Sequence, residues 1–169
     1  MSASPPQPQS SPEQATFQID KIYVKDLSLE IPNAPQVFVQ PVQPTLEVHI
    51  DTESLPFDEP YFEVTVSATV TAKAGDRTVF LAEAVQAGIF SVRNVPEEEL
   101  APLLGICCPN ILFPYLRETI SDLVTRGGFP PVLLSPISFE ALYMQKVQGG
   151  EPGGDAGGDS GGSKIEVAR

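Results

Sequence analysis

The stretch Phe62–Val92, FEVTVSATVTAKAGDRTVFLAEAVQAGIFSV, decides the fold. From Phe62 to Ala72 the even positions are apolar (Phe62, Val64, Val66, Ala68, Val70, Ala72). The odd positions between them are polar (Glu63, Thr65, Ser67, Thr69, Thr71). A period of two marks a strand with one buried face. Lys73-Ala74-Gly75-Asp76-Arg77 reads as a turn, with Gly75 where a positive φ is required. A second strand, Thr78 to about Val92, then closes an antiparallel hairpin. Both of its faces are largely apolar, Val79, Leu81, Val85 and Ile89 against Phe80, Ala82, Ala84 and Phe90, which predicts cover on both sides.

Outward from the hairpin, residues 45–51 alternate again, with Leu46, Val48 and Ile50 inward and Glu47, His49 and Asp51 outward. Residues 17–31 are strand-like, but their apolar positions change phase between Ile19 and Ile22. A β-bulge, or a strand passing between two packing environments, accounts for that.

After Pro96 the period becomes helical. Glu97, Glu98 and Glu99 suit the first turn of a short helix, where acids face its positive end. Leu112, Tyr115, Leu116, Thr119, Ile120, Leu123 and Val124 recur at helical spacing. Pro114 belongs in a first turn, which places the start of this helix near it, and Gly127-Gly128 ends it. FPPVLLSPI leads to a last helix over Ser138–Gln148, with Ser138 as N-cap and Phe139, Leu142, Tyr143 and Val147 as its apolar stripe. Four strands followed by helices predict an α+β fold on a four-stranded antiparallel sheet, rather than a doubly wound one.

The chain has 169 residues, enough for one domain, and a hydrophobic fraction of 41% that allows a real core. Its formal charge of −12 disfavours nucleic acid and anionic membrane surfaces, both of which need a basic patch. The 18 Pro and 13 Gly are many for a uniform globular domain, and eight of the glycines fall after Gln148. Residues 1–16 and 149–169 are expected to be disordered tails flanking a folded domain at 17–148. Two cysteines without a secretory signal suit a reducing compartment, so a cytoplasmic location is expected. No run comes near the ~20 apolar residues that span a bilayer, so direct membrane insertion is not expected.

Chemistry is sparse. His49 is the one imidazole, and a triad or histidine-based metal site needs partners from elsewhere. Cys107 and Cys108 are adjacent, poor spacing for zinc, and read best as small buried hydrophobes. No glycine loop cradles a phosphate, and no carboxylates form a recognisable acid–base pair. These absences favour a binding protein over an enzyme, with no metal and no cofactor.

Two features remain. Asp26 and Glu30 on the first strand, with Leu81 and Glu83 on the fourth, form either an acidic dock with an apolar contact or an ordinary solvated face. Phe38, Phe57, Phe113, Phe129, Tyr143 and Met144, all outside the regular alternation, either line grooves for extended peptides or pack helices on the sheet.

Those same residues sit in segments that resemble the SecB family of bacterial export chaperones. They are FQIDKIYVKDLSLEIPNAP (Phe17–Pro35), FLAEAVQAGIFSV (Phe80–Val92), CPNILFPYLRETISDLVTRGGFP (Cys108–Pro130) and LSPISFEALY (Leu134–Tyr143). The resemblance covers residues 17 to about 148 in order and spacing. It implies helices packed on one face of the sheet, and a homotetramer, a dimer of dimers with long helices held between sheets, here the helix bearing Leu116, Ile120 and Leu123. It also implies an ATP-independent holdase that keeps unfolded secretory precursors translocation-competent and delivers them to the SecA motor.

Asp26, Glu30, Leu81 and Glu83 match, residue by residue, the family patch that receives the basic, zinc-bearing C-terminal tail of SecA. The zinc is the partner's. Ser138 stands where the family usually has Asn, and Ile106-Cys107 departs from the usual pair before Cys108. A relative dedicated to a non-export client, such as a toxin–antitoxin pair, or a structural adaptor, is the alternative.

Overall fold

A computed structural model describes residues 14–40 and 43–149. The expected tails, 1–16 and 149–169, lie outside the described residues apart from 14–16 and Gly149. Strands β1 (Thr16–Glu30), β2 (Thr45–Asp58), β3 (Tyr61–Ala74) and β4 (Arg77–Arg93) come first. Helices α1 (Glu97–Pro102), α2 (Cys108–Arg126) and α3 (Phe139–Gly149) follow, a π-helical turn at Leu103–Cys107 joining α1 to α2. The strands form one antiparallel sheet in the order β1-β4-β3-β2, so the α+β architecture is as expected.

The alternation in β3 translates directly into burial. Val64, Val66, Val70 and Ala72 are fully buried on the inner face, and Gly75 turns the chain at φ +61°. Against that face lie Leu112, Leu116, Ile120 and Val124 of α2, also fully buried. Each such side chain contributes about 1.5–3 kcal/mol when removed from water. Leu116 and Ile120 therefore pack on their own sheet and are not free to join two chains, contrary to expectation; of that stripe only Leu123 is half-buried.

β4 departs from its reading in the same way. Phe80, Ala82, Ala84 and Phe90 are buried on the inner face, but of Val79, Leu81, Val85 and Ile89 only Val79 is buried. Within one chain the outer face is not covered.

β1 has two register shifts, at Ile19/Lys21 and at Val24/Asp26. The first is the expected bulge. Together they keep Phe17 and Ile19, then Ile22 and Val24, then Leu27 and Leu29 opposite inner-face residues of β4, although the phase changes twice. β2 runs seven residues beyond the expected Asp51, through Pro56, because it is an edge strand and has a register shift at Pro56/Asp58.

α2 begins at Cys108, not near Pro114, and Pro114 lies inside it. Pro114 and Asn110, whose carbonyl loses the missing N–H as partner, are both exposed, so the break falls on the solvent side while Leu112, Phe113 and Leu116 stay buried. The helix ends as Gly127-Gly128 predicts. Gly128 has φ +87°, its N–H donates to the Thr125 carbonyl at 3.0 Å, and the Phe129 N–H donates to the Val124 carbonyl at 3.3 Å. Ser138 caps α3, its Oγ accepting from the Ala141 N–H at 3.2 Å.

Among the described residues, the helical run Glu97–Arg126 is long and apolar enough to cross a membrane, contrary to the expectation that no run comes near that size. One third of its most apolar window, 33%, lies inside the fold, much of it pressed on the sheet.

Candidate functional site

Cross-strand register, rather than sequence proximity, assembles the outer face. Three rows run across the sheet from β1 through β4 and β3 to β2: Asp26–Val85–Ser67–Asp51, Ser28–Glu83–Thr69–His49 and Glu30–Leu81–Thr71–Glu47. Neighbouring strands lie about 4.8 Å apart, so residues opposite or diagonal in these rows share one patch. Asp26, Glu30 and Glu83 are exposed, and Leu81 sits half-buried beside them, directly opposite Glu30. Thr69 Oγ1 donates to Glu83 Oε1 at 3.3 Å, and the Leu27 N–H donates to Asp26 Oδ1 at 2.9 Å. All four residues singled out in the sequence thus share one surface.

The other acids in these rows are engaged. Glu47 pairs with Lys73 at 3.2 Å. Asp51 accepts from Lys146 of α3 at 2.7 Å, and although burial pushes its carboxyl up, the Lys146 ammonium holds it below its ordinary value. Among the described residues Asp26, Glu30 and Glu83 make no salt bridge, so their charge faces solvent. His49 is exposed on the same face, opposite Thr69.

Beside this patch lies a cluster that sequence reasoning missed. Glu63 of β3 reaches across β4 to β1, accepting from the Tyr23 hydroxyl on one oxygen and from Lys25 Nζ on the other, the latter at 2.6 Å. The Lys25 and Tyr23 hydrogen bonds hold the Glu63 carboxyl below its ordinary value. The bond to Glu63, with burial, pushes the Tyr23 hydroxyl up to about 12. The only sequence signal was an acid at an outward position of β3.

The six candidate client residues fall in four places. Phe38 stacks on Phe129 with centroids 5.2 Å apart, and Phe129 tilts against Phe80 at 4.8 Å. Phe38 and Phe129, with Val37, Leu46 and Pro130, line a groove of about 390 Å³. Phe57 is exposed at the β2–β3 end, stacked on Tyr61 at 6.0 Å. Phe113 lies in the core, edge-on to buried Phe139 at 5.6 Å. Tyr143 lies over Gly105 in a second cleft of about 410 Å³, and Met144 on α3 is exposed.

Cys107 is exposed and Cys108 buried, both free, so Cys108 is the packed hydrophobe expected. Burial, reinforced by Cys107, pushes the Cys108 thiol up to about 12. Among the described residues, no three His, Cys, Asp or Glu side chains are grouped to hold a metal ion.

The family model described as SecB, preprotein translocase subunit SecB, matches residues 10–149. The chain is similar to proteins named protein-export protein SecB from several bacteria. The one from Chromobacterium violaceum is 59% identical over 133 residues, covering 79% of this chain and 89% of that protein. The one from Neisseria meningitidis is 53% identical over 134 residues, covering 79% and 91%. Among solved structures, a SecB-like chaperone of Mycobacterium tuberculosis, in complex with a ChAD peptide from the HigA1 antitoxin, superposes with TM-score 0.57. It is 25% identical, and the match covers 72% of this chain and 90% of that one.

Proposed function

The chain belongs to the SecB family, and from that premise we propose how it works as a chaperone of preprotein export: it holds unfolded precursors in the cytoplasm, without ATP, and passes them to SecA. The observation that carries this reading is the outer sheet face, where Asp26, Glu30 and Glu83 stand around Leu81 with no salt bridge among the described residues. Unpaired carboxylates attract a basic segment over a Debye length, about 10 Å at 0.1 M salt. A half-buried leucine among them gives that segment an apolar contact that fixes its register. The basic, zinc-bearing C-terminal tail of SecA has the complementary chemistry, and the zinc is its own.

Clients occupy the other side of the molecule. The Phe38–Phe129 groove presents stacked aromatic faces to an extended apolar segment. Tyr143 in the second cleft, and exposed Met144 and Phe57, offer separate apolar contacts to other parts of an extended client. Such contacts are broad and tolerant of sequence, as a holdase requires. Phe113, being core, packs against Phe139 and is not open to clients. The protein works as a homotetramer, a dimer of dimers. Its cover for the exposed Phe17, Ile19, Val24 and Leu27 of β1 comes from other copies.

The Mycobacterium tuberculosis chaperone is bound to a peptide from an antitoxin, a client outside export. Identity of 59% to an export protein, against 25% to that chaperone, favours export here. Light scattering combined with a folding-delay assay on a secretory precursor tests the reading. A mass near four times 18.1 kDa and delayed precursor folding, unaffected by ATP, are expected. A monomer that leaves folding unchanged overturns it.

A further inference from the structure

The dock depends on which face of β1 carries Asp26. Between the two register shifts, at Ile22 and Val24, opposite Gly88 and Gln86, the even residues of β1 face α2; from Leu27, opposite Ala84, the odd residues do. The register shift between Val24 and Asp26 makes that exchange, leaving Lys25 as the extra residue. Without it, Asp26, Ser28 and Glu30 turn inward and Leu27 and Leu29 turn out, because a one-residue slip inverts a strand. β1 is an edge strand paired only with β4, so the ladder alone holds this bulge weakly.

The Glu63 carboxylate grips both sides of that point, Tyr23 before the bulge on one oxygen and Lys25 in it on the other. From the inner face, Gln86 Nε2 donates to the Tyr23 carbonyl at 3.0 Å and is itself held by Thr119 Oγ1 of α2 at 3.2 Å. We propose that Glu63, acting through Tyr23 and Lys25, is a positioning residue for the basic-tail dock, fixing the bulge that turns Asp26 and Glu30 outward. Holding Lys25 on Glu63 also keeps that ammonium from pairing with Asp26, its neighbour in the chain. The inference rests on the reading of the outer face as the SecA dock.

The test uses the full chain with the double substitution Tyr23→Phe, Lys25→Met, which breaks the clamp and removes one positive charge beside the dock. Charge alone then predicts tighter binding of a basic peptide, whereas loss of positioning predicts weaker binding. Calorimetry with a synthetic SecA C-terminal tail peptide loaded with zinc is expected to show about a 3- to 10-fold loss of affinity. Amide hydrogen exchange should accelerate in β1 around Val24–Leu27, while circular dichroism stays unchanged. Tyr23→Phe alone, which changes no charge, should give a smaller loss of the same sign and serves if the double variant does not fold. Unchanged or tighter binding, with Asp26→Ala still weakening it, overturns the clamp and leaves the dock standing. If Asp26→Ala binds the peptide undiminished, the dock itself fails and the positioning role falls with it.

Discussion

The two faces of the sheet are built from the same four strands but solve different problems. The inner face alternates Val, Ala and Phe with almost no polar interruption, Gln86 being its one buried polar side chain among the described residues. The outer face alternates Thr, Ser and acids around half-buried Leu81, Val85 and Ile89. On the inner face the free energy lies in close packing, so a change of one side chain is felt throughout. On the outer face it lies in long-range fields and register, so a change alters recognition and leaves the fold alone.

The largest effect should come from the inner face. Phe90→Ala removes a fully buried ring and should cost about 3–5 kcal/mol. Chemical denaturation should show the midpoint fall sharply, and a loss under about 1 kcal/mol would mean that the inner face repacks freely.

Next comes the helical edge of the core. A Cβ on Gly105 would lie 2.5 Å from the Tyr143 ring, so Gly105→Ala should cost about 1–3 kcal/mol by pushing α3 off the π-helical turn. The double variant Gly105→Ala, Tyr143→Ala should recover part of that loss, which denaturation reads directly. An additive double variant would show that the contact is not the cause.

The outer face should answer differently. Asp26→Lys should change stability by no more than about 0.5 kcal/mol. It should nonetheless weaken the SecA-tail complex by about tenfold or more, by repulsion as well as lost attraction. Raising salt from about 0.1 to about 1 M should reduce wild-type affinity and narrow the gap. Destabilisation comparable to Phe90→Ala would erase the distinction between the faces.

The smallest effect is a pH dependence of the clamp. Glu63 titrates lower in the fold than its ordinary 4.5, so its contribution is present above that value and lost as pH falls through the folded value. Tyr23 is raised from 10.0 to about 12, so its contribution is complete below 10 and lost as pH rises toward 12. Wild type should therefore exceed Glu63→Gln in unfolding midpoint between about pH 5 and 10, the two converging at either end. A constant difference across pH would show that Glu63 acts by packing alone.

How much of this the sequence disclosed follows from the same contrast. The inner face was legible because strict alternation in β3 maps one residue onto one side, and the first β1 bulge was legible, as one of two readings, because the phase of the apolar positions changes there. The second bulge left the same mark, the return of Leu27 and Leu29 to odd positions, but read as one strand-like run it passed unnoticed. Pro114 misled because the rule against helix-interior proline assumes a carbonyl that needs its N–H, and here that residue is exposed. Asp26, Glu30, Leu81 and Glu83 were visible as outward residues, but only family resemblance favoured a dock over a solvated face, since their meeting depends on register between strands more than fifty residues apart. The Glu63 clamp was hidden for the same reason, with no resemblance to point at it.

The strand order has a consequence in time. β2, β3 and β4 join through tight turns, so each can pair as soon as it is made. β1 pairs only with β4, and its nearest partners, Glu30 and Leu81, are fifty-one positions apart, so closing that loop carries a larger entropy cost than either hairpin. During synthesis β1 leaves the ribosome first yet has no partner until Arg77–Arg93 has followed it. A chaperone of unfolded chains thus begins its own life with an apolar strand, bearing Phe17, Ile19, Val24 and Leu27, waiting uncovered.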